Sequence, residues 1–286
     1  MKYPLHILAA LVGLTACSAD EIEPSTVTTE VESALTERIG AISAEYSPGE
    51  LSATFNAQFV RVRGISADQA LSALDVWRPD PELALDACTV KAQPIFESTD
   101  DVQVELLDAG PIAIGSDFGQ VQIQPRRLPD VDRVAGVVYG NESGFDVAPV
   151  TLPYEPGAAY RLAASGGEVG NIDVTLVAPD VPRIMNALEA DDRLRVQNDL
   201  HLMWNAQSDA TASLFLAITA ADGTVMSCRL EDDGDFTLPS SLLEPFKSTR
   251  GAELTLRRVT MKDTDVDGLD RVRIVFGARD SLFLFW

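Results

Sequence analysis

Apolar residues recur at every second position along most of this chain. That period constrains the fold more than any other feature, because a strand is the element that places alternate side chains on one face. Leu51, Ala53, Phe55, Ala57 and Phe59 alternate with Ser52, Thr54, Asn56 and Gln58. The same period returns at Val102, Val104 and Leu106, at Val121 and Ile123, and at Ile172, Val174 and Leu176, with a short apolar run over 134–139. A second series follows at Leu200, Leu202 and Trp204, at Ala212 to Ile218, and at Met226, Cys228 and Leu230. Phe236 and Leu238, Leu254 and Leu256, Val272, Ile274 and Phe276, and finally Leu282 to Trp286 complete it. Turn signals such as Asp108-Ala109-Gly110, Glu155-Pro156-Gly157 and Ser165-Gly166-Gly167 separate the runs. Short strands so spaced predict a mainly β fold of two tandem Ig-like or fibronectin-III-like antiparallel β-sandwich domains. Pro179 and Pro182 would leave a ladder without donors, which sets one sandwich at 50–180 and the second at 183–286. One short helix is expected at 66–76, where Ser66 and Gln69 form a capping box ahead of Ala70, Leu71 and Leu74.

Before the first strand the pattern changes twice. Lys2, the apolar stretch Leu5 to Leu14, and the small residues Thr15 and Ala16 ahead of Cys17 read as a lipoprotein signal peptide over 1–16, with Cys17 as the acylated residue. The apolar stretch is shorter than the roughly 20 residues a membrane-spanning helix needs, so the expected attachment is a lipid anchor. Ser18 lacks the aspartate that retains many lipoproteins at the inner membrane and so points to the outer membrane; periplasmic and surface-facing orientations stay open. Residues 17–49 are rich in Glu, Ser and Thr and read as an acidic, solvated tether. Val31, Leu35, Ile39 and Ile42 recur in it at the spacing of a short amphipathic helix.

Charge and residue counts then narrow the chemistry. With 22 basic and 44 acidic residues the net charge is −22, and such a surface repels phosphate backbones. Nucleic acid is therefore excluded as a partner, and an envelope protein or a polysaccharide is expected. Beyond Cys17, Cys88 and Cys228 form an even pair in an oxidising compartment, with a disulfide and two buried thiols as the alternatives. His201 is the one histidine beyond the signal peptide; it alternates with Leu200 and Leu202 and reads as a surface strand residue. No HExxH, CxxC, GxSxG or Walker pattern occurs, and no catalytic residue is assigned. Asp263, Asp265, Asp267, Gly268 and Asp270 match the first half of a calcium loop, which supplies oxygen ligands at alternate positions around a sharp glycine turn. Ile274 stands where the bidentate glutamate belongs, so any calcium affinity is expected to be weak and no other cofactor is expected. The rival reading is a hairpin tip, because Asp222-Gly223, Asp233-Gly234 and Asp267-Gly268 all fall between alternating runs. Trp204, Tyr139, Tyr154 and Tyr160 read as core residues before they read as a sugar platform.

Several stretches carry a resemblance: LLDAG at 106–110, PRRLPDV at 125–131, AGVVYG at 135–140, YRLAASGG at 160–167, LHLMW at 200–204 and SCRLEDDGDFTLPSSLL at 227–243. In these the chain resembles myxobacterial-type outer-membrane lipoproteins with tandem β-sandwich domains, a likeness that implies fold and location and carries no activity. The expectation is a non-enzymatic, lipid-anchored envelope protein that binds a partner or ligand or serves a structural role. A calcium-dependent adhesion or carbohydrate-binding lipoprotein, resting on 263–270, and an envelope hydrolase using two carboxylates are the alternatives.

Overall fold

A computed structural model describes residues 36–286 except 51–52, 74–76, 78, 93–101, 132–133, 141–151, 187–192, 196–197 and 208–210. The signal peptide, Cys17 and most of the expected tether lie outside the described residues. The first half of the chain runs through β1 (Glu37–Tyr46), β2 (Thr54–Arg63), α1 (Ala67–Ala73), β3 (Ala87–Ala92) and β4 (Gln103–Leu106). It continues with β5 (Ile112–Ser116), β6 (Gly119–Ile123), β7 (Arg126–Val131), β8 (Val134–Gly140), β9 (Ala159–Ala164) and β10 (Ile172–Val177). The second half holds β11 (Arg193–Arg195), β12 (Leu200–Met203), β13 (Ser213–Ala220), β14 (Thr224–Leu230) and β15 (Asp235–Leu238). It ends with α2 (Ser240–Leu243), a 3-10 turn at Glu244–Phe246, and the long strands β16 (Ala252–Val266) and β17 (Leu269–Phe285). The fold is mainly β, as the period-two runs predict.

The strand order departs from a tandem arrangement. One sheet of eleven strands runs β3-β14-β13-β16-β17-β1-β2-β4-β8-β7, with β11 paired to the far end of β17. Its pairings cross the boundary expected at 180–183: β3 pairs with β14, and β1 lies parallel to β17 from Ile39↔Arg271 to Tyr46↔Ala278. The length of β17 accounts for the second of these. Its 17 residues are long enough to serve both halves, and the runs at 272–276 and 282–285 belong to this one strand.

Two smaller sheets cover the inner face of the large one. A four-stranded sheet, β10-β9-β5-β6, packs Ile112, Ile114, Leu162 and Val174 against Ile42, Phe55, Phe59, Ile274 and Phe276. The β12-β15 pair and the α2 segment pack Leu202, Trp204, Leu243 and Phe246 against Leu216, Ile218, Leu254, Leu256, Leu282 and Leu284. Each large apolar side chain buried this way contributes about 1.5–3 kcal/mol. Between the two apolar patches the inner face carries Arg258, with no solvent exposure. Its guanidinium donates to Asp232 through Nε (2.6 Å) and Nη2 (2.8 Å), and to the carbonyls of Asp180 (3.1 Å) and Asn205 (2.6 Å). Trp204 Nε1 donates to the same Asp232 carboxylate at 2.9 Å. A buried charge is tolerated only when matched and fully hydrogen-bonded, and this fork supplies that match.

The N-terminal expectation is corrected. Residues 37–46 are neither tether nor helix but a strand inside the large sheet, with Ile39, Gly40, Ala41 and Ile42 all buried. Ile42 and Ala44 face the inner core, while Ile39 and Ala41 face the outer side under α1. The helix forms where expected: Ser66 Oγ accepts from the Gln69 amide at 3.2 Å, and Gln69 Oε1 accepts from the Ser66 amide at 3.0 Å. At Gly136 a parallel neighbour leaves no room for a side chain, because its φ is +126° and a Cβ would stand 1.9 Å from the Leu106 carbonyl oxygen. Of the three Asp-Gly turns, Asp222-Gly223 and Asp267-Gly268 close hairpins. Asp233-Gly234 does not, since β14 pairs with β13 and β3 while β15 pairs with β12.

Candidate binding face on the large sheet

The residues singled out from the sequence fall in separate places. Cys88 and Cys228 are directly opposed on β3 and β14 and joined by a disulfide, with 4.1 Å between their Cα atoms. His201 lies on the outward side of β12 with its side chain 53% exposed, 3.6 Å from Asp235. Trp204, Tyr139 and Tyr160 are buried. Burial pushes the Tyr139 hydroxyl above its usual range, and the bond to Asp108 adds to this although the Ala109 amide opposes it. Asp108 and Glu168 meet near that hydroxyl, but each accepts a backbone amide: Asp108 Oδ1 from Gly110 at 2.7 Å and Glu168 Oε2 from Asp108 at 2.9 Å. The Glu168 carboxylate thus fastens its loop to the one at 108–110, while the Asp108 carboxylate holds its own turn and the Tyr139 hydroxyl.

The segment 263–270 is a hairpin tip with a register shift between Thr264 and Val266. Both oxygens of Asp263 accept from the Arg273 fork at 2.7 Å, which holds that guanidinium above its usual range. Asp270 accepts the Arg38 amide at 2.8 Å, and the Asp267 carbonyl accepts from Gly170 at 2.7 Å. Asp265 is exposed. Among the described residues no group of three or more His, Cys, Asp and Glu side chains is assembled as a metal site.

A more organised arrangement lies on the outer face of β16 and β17. Three successive cross-strand pairs occupy it: Arg257↔Arg279, Thr255↔Ser281 and Glu253↔Phe283. Two arginines directly opposite one another repel, at a cost of a few tenths to about 1 kcal/mol. Glu45, from the end of β1, offsets this by accepting from Arg257 Nε at 2.7 Å and lying 3.3 Å from Arg279 Nη1. The Trp77 ring lies 4.9 Å from the Arg257 guanidinium and meets Phe215 edge-on at 6.0 Å, which fixes the plane of that guanidinium. One rung along, Ser281 Oγ donates to Thr255 Oγ1 at 3.2 Å. One rung further, the Phe283 ring lies on Gly251, where a Cβ would come within 2.3 Å of it, and is 45% exposed.

A guanidinium carries five N–H donors. Glu45 engages one on Arg257 and approaches one on Arg279; among the described residues no other acceptor serves either group. Arg279 is 32% exposed at its side chain, so its remaining donors face solvent. Sequence reading does not find this face. Glu45 falls in the stretch read as a tether, and 212 residues separate it from Arg257. The alternation of Leu254 and Leu256 does imply that Thr255 and Arg257 point the other way, which is the one signal the sequence offers.

Comparison with protein-family models and with curated proteins gives no match for this chain.

Proposed function

We propose that this chain is a lipid-anchored protein of the outer membrane that recognises an envelope partner, without catalysis, through the outer face of β16 and β17. The observation that carries the reading is Arg279, whose side chain is 32% exposed on a chain of net charge −22 and which, among the described residues, lies beside one carboxylate, that of Glu45, shared with Arg257. A rigid central sheet that presents unfilled donors in fixed positions suits recognition, since ordering costs little on binding. The anchor rests on Cys17 and the small residues before it. Calcium has no part in this reading, because Arg273 already matches the Asp263 carboxylate.

Site-specific photocrosslinking in intact envelopes tests it. A photoreactive residue at Ser281, on the proposed face, is expected to give a discrete adduct that one at Asp117, in the β5–β6 turn, does not. Identical adducts from both positions, or none from 281, contradict it.

A further inference from the structure

The outward side of the small β12–β15 sheet gathers soft donor atoms, at a place that does not depend on the face proposed above. Residues 183–185 run antiparallel beside β12: Ile184 bridges to Trp204, and the Met185 amide donates to the Met203 carbonyl at 2.8 Å. That register sets Met185 directly opposite Met203, with about 5.5 Å between their Cα atoms. Ile184 and Trp204 pack inward, so the two methionines point outward, 57% and 40% exposed. Across its other edge Met203 is opposite Asp235. His201, two residues before Met203 on the same face, brings its Nε2 to 3.6 Å from that Asp235 carboxylate and so toward the methionine rung. Asn186 pins the backbone of both ligand-bearing residues of β12, since its Nδ2 donates to the His201 carbonyl and its Oδ1 accepts from the Met203 amide at 3.1 Å. We infer that Met185, Met203 and His201 bind copper(I), through two thioether sulfurs and the imidazole Nε2.

Ligand chemistry selects the ion. Thioethers are soft, neutral donors that favour Cu(I), and imidazole suits the same metal. Calcium and magnesium need a shell of oxygens, of which this rung offers the one carboxylate of Asp235. A thiolate zinc site has no thiolates to draw on at Cys88 and Cys228, because the two are joined in a disulfide. Arg183, exposed and two residues before Met185, sets one positive charge at the end of the row, and Asp235 sets one negative charge within it. These cancel, and a place with neutral donors and no net fixed charge suits a monovalent cation better than a divalent one. Exposed apolar residues scattered singly need no explanation. Two methionines facing each other beside His201, the one histidine among the described residues, are not scattered.

The test titrates the full chain in detergent with Cu(I), anaerobically under ascorbate, against a chromogenic Cu(I) chelator, with mass spectrometry confirming that the disulfide stays closed. The chain is expected to withdraw Cu(I) from the chelator, and Met185→Leu, Met203→Leu and His201→Gln are each expected to weaken that binding at least about tenfold. Leucine conserves the methionine volume and all three positions are exposed, so these variants are expected to fold, which unchanged circular dichroism checks. Silver(I), a soft monovalent ion that needs no reductant, gives a second readout: in spectra of methyl-labelled methionine it is expected to shift Met185 and Met203 and to leave buried Met226 and half-buried Met261 in place. Failure to withdraw Cu(I), undiminished binding in the two leucine variants, tighter binding of Zn(II) than of Cu(I), or silver shifts confined to other methionines overturns the inference. None of these outcomes bears on the face of β16 and β17, which the crosslink from position 281 tests separately.

Discussion

Replacing Asp232 with alanine tests the join between the two inner patches. The Arg258 guanidinium has no solvent exposure and makes four hydrogen bonds, two of them to Asp232. Removing the carboxylate strands a buried cation, which costs about 3–5 kcal/mol. The Trp204 indole N–H also loses its acceptor, which moves the cost toward the upper end of that range. In the paired change Arg258→Met with Asp232→Leu no charge is left stranded, so the double variant is expected to be more stable than the sum of its single changes by at least about 2 kcal/mol. Urea unfolding of the full chain, followed by circular dichroism and Trp fluorescence, reads these values. Because one sheet carries both patches, the variants are expected to unfold in one transition with an unchanged slope. A cost below about 1 kcal/mol for Asp232→Ala, additive single changes, or separate transitions for the two probes would refute the reasoning.

Two further outcomes follow from the structure. The Cys88–Cys228 bridge closes a 140-residue separation, so in the chain-entropy picture replacing both cysteines with alanine lowers stability by up to about 5 kcal/mol, and hydrogen exchange in β3 rises first because, among the described strands, β14 alone pairs with it; a change under about 1 kcal/mol contradicts this. Burial is the main cause raising both the Tyr139 and Tyr154 hydroxyls above their ordinary 10.0. The unfolded chain therefore releases these protons first: stability is unaffected below about pH 10 and falls above it by up to about 1.4 kcal/mol per pH unit for each tyrosine, and Tyr154→Phe halves that slope. Tyrosinate absorbance from these two residues is expected to rise only with unfolding, and an earlier rise would contradict the assignment.

What the sequence shows and what it hides follow one physical distinction. Strands with one wet face announce themselves: Ile172, Val174 and Leu176 are buried while Asp173, Thr175 and Val177 are exposed, and His201 points outward as its neighbours imply. A strand covered on both faces has no alternation to read. That is why Ile39-Gly40-Ala41-Ile42, buried throughout, looks helical by the spacing of its two isoleucines. The long strands are hidden for another reason, since Arg258 and Thr260 on β16 and Asp280 on β17 place polar groups in line with the apolar face and divide each strand into two runs. The binding face depends on strands far apart in sequence. Arg257 and Arg279 become neighbours only through the β16–β17 register, and Glu45 reaches them only because β1 lies parallel to β17.

Hydrogen–deuterium exchange over residues 38–46 therefore tests the account at its base, because that strand carries Glu45 and joins the two long strands to β2, β4, β8 and β7. The account predicts that these amides exchange as slowly as those of 272–278 on the neighbouring strand. Exchange at the rate of a solvated linker would contradict it, and with it the outer face built on that strand.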